Sequence, residues 1–184
     1  ERYTTPDAAP DVTGSLYLMP ANMEVRNIAS SINDAFAVLK RLMEVRNAVD
    51  YILIDTSPTP SLLHASILLA SDAVVHPTEL EAWSFDGLKE SLSHSEQFDA
   101  LRQQYNLSPI ELIGILPTMV RMRTLEHQEN LRMLNKAFPG LVWHPIALRT
   151  IWAEMGTQKK PVFAFAPGTK TVNEAWQMVD DFEG

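Results

Sequence analysis

Tyr51-Ile52-Leu53-Ile54 is an unbroken apolar run that ends on Asp55 and turns at once through Thr56-Ser57-Pro58. An apolar strand without polar alternation predicts cover on both faces, which in α/β proteins means a parallel sheet between helices. Ligands of such sheets sit beyond the carboxyl ends of the strands, where Asp55 stands. Local chemistry allows two roles for it: a carboxylate holding a water in the shell of a nucleotide-bound magnesium ion, or a turn aspartate preceding a helix cap at Thr56 or Ser57.

The pattern on either side repeats the alternation of strand and helix. Leu16–Met19 reads as a short strand ended by Pro20, and Ile28, Ile32, Ala35, Phe36, Leu39, Leu42 and Met43 recur at helical spacing. Leu62–Ala70 predicts a short helix, Ala73–Pro77 a strand, and Ser84 the cap of a helix running to about Tyr105 with Leu88, Leu92, Phe98 and Leu101 inward. Ile110–Met119 predicts a further strand. Thr124 then caps a helix carrying Leu131, Leu134 and Phe138, and Leu141–Trp143 is a short strand. Thr171 and Glu174 have capping-box spacing for a last helix that turns Val172, Ala175, Trp176, Val179 and Phe182 inward. The fold class expected is α/β, a mostly parallel central sheet flanked by helices. The proline-bearing stretch 1–15 reads as a lead-in and 16–184 as one nucleotide-binding domain.

Composition narrows the function. The 184 residues carry a net charge of −8 and no cysteine, which excludes disulfides, thiolate zinc and a cysteine nucleophile, and argues against coating nucleic acid by bulk charge. The lack of cysteine makes an intracellular protein the expectation, and neither a basic-then-apolar leader nor an apolar run near the roughly 18 residues of a membrane span is seen in the sequence. The charge is uneven, however. From Met119 to Lys170 eight basic residues face three acidic ones, a local +5 that leaves −13 for the remainder. Such asymmetry marks either an anion-binding face or an ordinary solvated surface, and Lys159-Lys160 fit the latter.

Other motifs carry less. The five histidines show no ligand spacing, so core or surface packing explains them, and no Gly-x-Ser-x-Gly elbow makes Ser57 or Ser61 a nucleophile. Trp143, Trp152 and Trp176 read as packing residues. Glu79, Glu81 and Asp86 fit the charge preference of a helix start better than a catalytic pair.

Several segments, in order, resemble one family. Leu16–Asn22, Asp50–Pro58, Ala70–Asp72 through Pro77–Glu79, and Ser84–Leu88 are similar to consecutive parts of ParA/MinD-type ATPases. So are Gly114–Met119 with Arg123-Thr124, and Pro145-Ile146, Arg149-Thr150, Trp152, Pro161–Phe163 and Ala166-Pro167. The resemblance implies that Asp55 is the Walker B carboxylate, catalytic and bound to magnesium through water. It implies that Thr118, Met119, Pro145 and Ile146 border the adenine of ATP, and that Arg123 and Arg149 contact DNA without reading sequence. Arg121, where the family is often acidic, adds to that basic face. Ser57, where proline often follows the Walker B Asp-Thr, and Ser66, where asparagine is frequent, depart from the pattern. An ATP-bound homodimer, a ParB-like stimulating partner, plasmid or chromosome partition, and a cytoplasmic, nucleoid-associated location follow from the same resemblance.

One departure is large. A phosphate loop needs clustered glycines followed by lysine, whereas the seven glycines stand at least twelve residues apart and none precedes lysine. The chain is therefore expected to be the later two thirds of such an ATPase. Alone it should not hydrolyse ATP, and Tyr51–Ile54 should present an unpaired edge that makes it poorly soluble or lets it recruit a strand. Two rivals remain: a scaffold of the same fold without nucleotide chemistry, and a MinD-like membrane-positioned regulator. The second is disfavoured by Val172–Gly184, which has four acidic residues and no lysine or arginine.

Overall fold

A computed structural model describes residues 2–3, 15–19, 32–57, 61–81, 84–165 and 168–184, with side chains at these positions other than 2–3, 84–87, 90–91 and 94–97. Pro20, Ala21, Asn22, Ile28, Pro58, Ala166 and Pro167, all used in the sequence reading, lie outside the described residues. The chain divides into two compact units, Glu1–Ala70 and Ser71–Gly184.

In the first unit, β1 (Arg2–Tyr3) pairs antiparallel with β2 (Leu16–Tyr17), which is shorter than the expected strand over Leu16–Met19. Helix α1 spans Ala37–Val45, so residues 32–36 of the expected helical stripe are not helical. Asp34 explains the start. Its carboxylate accepts from the Phe36 N–H at 2.9 Å and from Lys40 Nζ at 2.6 Å, a local turn that competes with helix. Helix α2 (Leu62–Ala70) falls where the sequence places it, and its buried Ser66 Oγ accepts from the Val38 N–H at 3.1 Å, tying α1 to α2.

The expected strand at Tyr51–Ile54 is corrected by the structure. Residues 51–57 have no regular structure, and Tyr51, Ile52, Leu53 and Ile54 are 70, 42, 82 and 36% exposed. The physical reason is pairing: a strand exists through its ladder, and among the described residues no strand runs beside this one.

The second unit holds the parallel sheet. β3 (Ala73–Glu79) leads through α3 (Ser84–Gln104) to β4 (Glu111–Thr118), which lies parallel to β3 from Ala73↔Glu111 to Glu79↔Thr118. One extra residue, Ile113, interrupts the register between Val74↔Leu112 and Val75↔Gly114. Its carbonyl accepts from the Trp143 indole N–H at 3.0 Å. Gly114 is what lets the indole lie there, since a Cβ at this position would stand 2.1 Å from the Trp143 ring. Residues 141–148 follow β4 on its other side, with parallel bridges Ile115↔Val142 and Val120↔Ala147. The short strand expected at Leu141–Trp143 is thus a bridge rather than a full strand.

Helix α4 (Leu125–Ala137) closes the main core of Leu80, Leu88, Ile115, Val120 and Leu134, on which Leu92, Leu131, Phe138 and Val142 pack. Buried Arg102 fastens the loop before β4 by donating to the carbonyls of Ser108 at 2.6 Å and Ser71 at 2.8 Å. Helices α5 (Ile151–Gln158) and α6 (Lys170–Glu183) flank a one-turn helix at Val162–Ala164, and Val162, Val172 and Ala175 form a second cluster with Trp152, Met155 and Phe165. The capping box is corrected as well. Thr169, not Thr171, accepts from the Val172 N–H; Thr171 is buried inside α6. Trp176 points outward and packs on Phe163, ring centroids 4.6 Å apart. No helix among the described residues is long and apolar enough to cross a membrane.

Candidate functional site

The second unit brings four of the expected nucleotide-bordering residues together through two prolines. Neither Pro117 nor Pro145 has an N–H, so a regular parallel ladder cannot continue past Ile115↔Val142. Trp143 still donates to the Ile115 carbonyl at 2.9 Å. The next donor to β4 is Ile146, which reaches the Pro117 carbonyl at 2.8 Å, one residue later than regular spacing places it. On the facing strand the slip is matched: Val120 N–H reaches the Ile146 carbonyl at 3.0 Å, and Leu148 N–H the Val120 carbonyl at 3.0 Å. Met119 absorbs the difference with a φ of +52°, a left-handed conformation that costs energy for any residue with a Cβ. Thr118-Met119 and Pro145-Ile146 therefore lie side by side at the end of β4. Thr118 is fixed there by its hydroxyl, which donates to the Thr78 carbonyl of β3 at 3.4 Å.

His76, one strand over, is the one group among the described residues with a buried side-chain nitrogen, Nε2, that has no hydrogen-bond partner. Burial holds its pKa below the ordinary imidazole value.

Beyond Val120 the chain makes a tight, hydrogen-bonded turn. The Arg121 N–H donates to Nδ1 of buried His127 at 3.3 Å, the Arg121 carbonyl accepts from the Thr124 hydroxyl at 2.9 Å, and Gln128 Nε2 donates to the Met122 carbonyl at 2.8 Å. Thr124 thus occupies the position before α4 but makes no side-chain cap. The turn leaves the side chains of Arg121 and Arg123 exposed, and among the described residues no carboxylate lies within ion-pair distance of either.

Arg149 stands differently. Its Nη2 and Nε donate to the two carboxylate oxygens of Glu174 on α6, at 2.5 and 3.3 Å. That hydrogen-bonded pair raises the Arg149 pKa, so the guanidinium stays charged. The Ala147 N–H donates to the same carboxylate at 3.4 Å. Nearby, Asp181 accepts from the His144 N–H at 2.7 Å and lies 2.9 Å from its Nδ1, fastening α6 to the segment before Pro145. Arg132 pairs with Glu129 one turn away on the exposed face of α4. Glu174 was legible only as a helix-start carboxylate, because a contact across 25 residues leaves no local signal.

Asp55 lies in the first unit, exposed, on the segment without regular structure. A single accessible carboxylate is what magnesium takes from a protein when phosphates and waters complete its shell, so the residue fits that ion. A phosphate cradle is not encoded in these 184 residues, as the glycine spacing establishes. No group of three histidine, aspartate or glutamate side chains placed to hold a metal occurs among the described residues.

Residues 7–108 match the family described as AAA domain, a match that includes Asp55 and ends before Thr118. The sporulation initiation inhibitor protein Soj of Bacillus subtilis is 30% identical over 134 residues, 72% of this chain and 51% of Soj. Among solved structures, a plasmid partition protein of Borrelia burgdorferi bound to AMPPNP superposes with a TM-score of 0.67 at 20% identity, covering 90% of this chain and 63% of that one. The cell division ATPase MinD of Pyrococcus furiosus gives 0.63 at 15% identity, over 82% of this chain and 58% of MinD. The chain spans about half the length of the curated relatives it matches.

Proposed function

The chain belongs to the AAA domain family, within its ParA/MinD-type partition ATPases, and from that premise we propose that it binds ATP with magnesium, dimerises, and then holds DNA without sequence preference to partition a plasmid or chromosome. The observation that carries the reading is the kinked ladder that sets Thr118-Met119 beside Pro145-Ile146, where an adenine edge would be received. Arg121 and Arg123 on the following turn, and Arg149 three residues beyond Ile146, give the same region a basic face for phosphates.

In this reading the backbone of Thr118, Met119, Pro145 and Ile146 orients the base, and the Thr118 hydroxyl bond to β3 keeps that edge rigid. Asp55 would hold the magnesium ion through a water. The ion, when bound, neutralises charge on the phosphate oxygens. Phosphate binding needs residues other than those of this chain, so hydrolysis belongs to the complete gene product, stimulated by a ParB-like partner. Division into a lead-in at 1–15 and one domain over 16–184, and a cytoplasmic, nucleoid-associated location, are part of the same proposal.

Isothermal titration of the complete gene product with ATP and magnesium tests it. Binding that loses its magnesium dependence in Asp55→Asn is expected. Absence of any binding would favour a scaffold of the same fold.

A further inference from the structure

We propose that Glu174 is a built-in competitor for the anion that Arg149 receives, and so sets how tightly the basic face holds DNA. The inference rests on the reading of Arg149 as a DNA contact.

The three arginines of that face are not equivalent. Arg121 and Arg123 are exposed with no carboxylate in ion-pair distance among the described residues, and each offers its charge to a phosphate. Arg149 has its Nε and Nη2 edge taken by one carboxylate, in the side-on, two-bond geometry that guanidinium also uses for phosphate. The side chains are 32 and 18% exposed, so the pair is partly shielded from solvent and salt. Glu174 is itself held at a third point by the Ala147 N–H, and its helix is docked through the buried Val172 and Ala175. It cannot swing away as a carboxylate on a free surface helix would. The contrast with Arg132–Glu129, an exposed pair on a single helix, is direct.

A phosphate arriving at Arg149 meets two obstacles. The preferred bidentate edge is occupied, and a negative charge sits within hydrogen-bond distance of the guanidinium. As a unit the pair is neutral, so Arg149 displaces little of the counterion atmosphere that drives non-specific DNA binding. Removing the Glu174 charge while keeping its shape releases one full cation onto the face.

The test uses the complete gene product with ATP and magnesium, a random-sequence duplex, and fluorescence anisotropy between about 50 and about 200 mM salt. Glu174→Gln keeps an amide oxygen for the Ala147 N–H. It is expected to tighten binding on the order of threefold at low salt and to steepen the salt slope by about 0.9, one added phosphate contact. Glu174→Asp, whose shorter side chain loosens the contact, should give a smaller gain, and it stands in if the glutamine variant folds poorly. Glu129→Gln should leave binding unchanged, and the gain from Glu174→Gln should vanish in an Arg149→Ala background. If Arg149→Ala weakens binding but Glu174→Gln weakens it too, or leaves affinity and slope as they were, Glu174 orients Arg149 rather than competing, and the inference falls while the DNA reading stands. If the gain from Glu174→Gln persists in the Arg149→Ala background, Arg149 is not the group that meets phosphate, and the DNA reading of Arg149 falls and takes the inference with it.

Discussion

Leu112–Leu116 and Tyr51–Ile54 are both near-continuous apolar runs, and each ends where a parallel sheet would present a ligand site. The first is β4, paired to β3 on one side and bridged to residues 141–148 on the other, with Ile115 fully buried. The second is exposed and irregular. The same composition therefore has two outcomes, and neighbours decide between them. An apolar run states that a strand wants cover on both faces, but the backbone N–H and C=O groups need partners of their own, and those come from other parts of the chain.

The contrast can be broken experimentally, and the largest effect is expected at Gly114. Gly114→Ala drives a Cβ into the Trp143 ring and dislodges the indole bond to Ile113. A loss of about 3 kcal/mol is expected by urea unfolding. A neutral result would mean that Trp143 does not lock β4 to the 141–148 segment.

Leu134→Ala is expected to cost about 2–4 kcal/mol, since Leu134 is buried against Ile115, Leu80 and Val120. Its counterpart in the exposed run, Leu53→Ala, should change the stability of the 184-residue chain by no more than about 0.5 kcal/mol. Measuring Leu53→Ala in the complete gene product sharpens the comparison: a cost there like that of Leu134→Ala would show that a strand from outside these residues covers the run.

A smaller effect separates β3 by pH. His76 has a folded pKa below its unfolded value, so the unfolded chain binds the proton more readily. The stability His76 contributes is present above the ordinary imidazole pKa near 6.5 and is lost as pH falls through the depressed folded value. Chemical unfolding between about pH 7.5 and about pH 5 should show this decline, and His76→Phe should flatten it. An unchanged pH profile in the variant would assign the decline to other groups.

What could be read in the sequence follows the same division. Helix α2, helix α3, β3 and β4 fall within a residue or two of their expected limits, because Leu62–Ala70 and Ile110–Met119 carry both pattern and punctuation. Local competition hid other features. Asp34 starts a turn inside an apolar stripe that runs on as if helical, and Thr169 takes the cap that the spacing of Thr171 and Glu174 predicts for Thr171. Helix α5 leaves little trace in the pattern because it is a two-turn helix that contains Gly156 and is capped by Lys159 at a φ of +53°. The site divides likewise. Thr118, Met119, Pro145 and Ile146 were legible as residues, whereas the slip that aligns them depends on two prolines meeting across a ladder. The hold of Glu174 on Arg149 depends on tertiary docking of α6, which no local spacing encodes.

In the proposed function, the edge formed by Thr118-Met119 and Pro145-Ile146 and the basic turn after it serve one ATP-controlled, sequence-independent hold on DNA. DNA binding by the complete gene product, with and without ATP and magnesium, for the unaltered protein and for Arg123→Glu, tests this most directly. The expected result is binding that requires ATP, is indifferent to sequence, tightens as salt falls, and drops about tenfold or more in Arg123→Glu. Equal affinity with and without ATP, or an Arg123→Glu variant that binds as well as the unaltered protein, would contradict it.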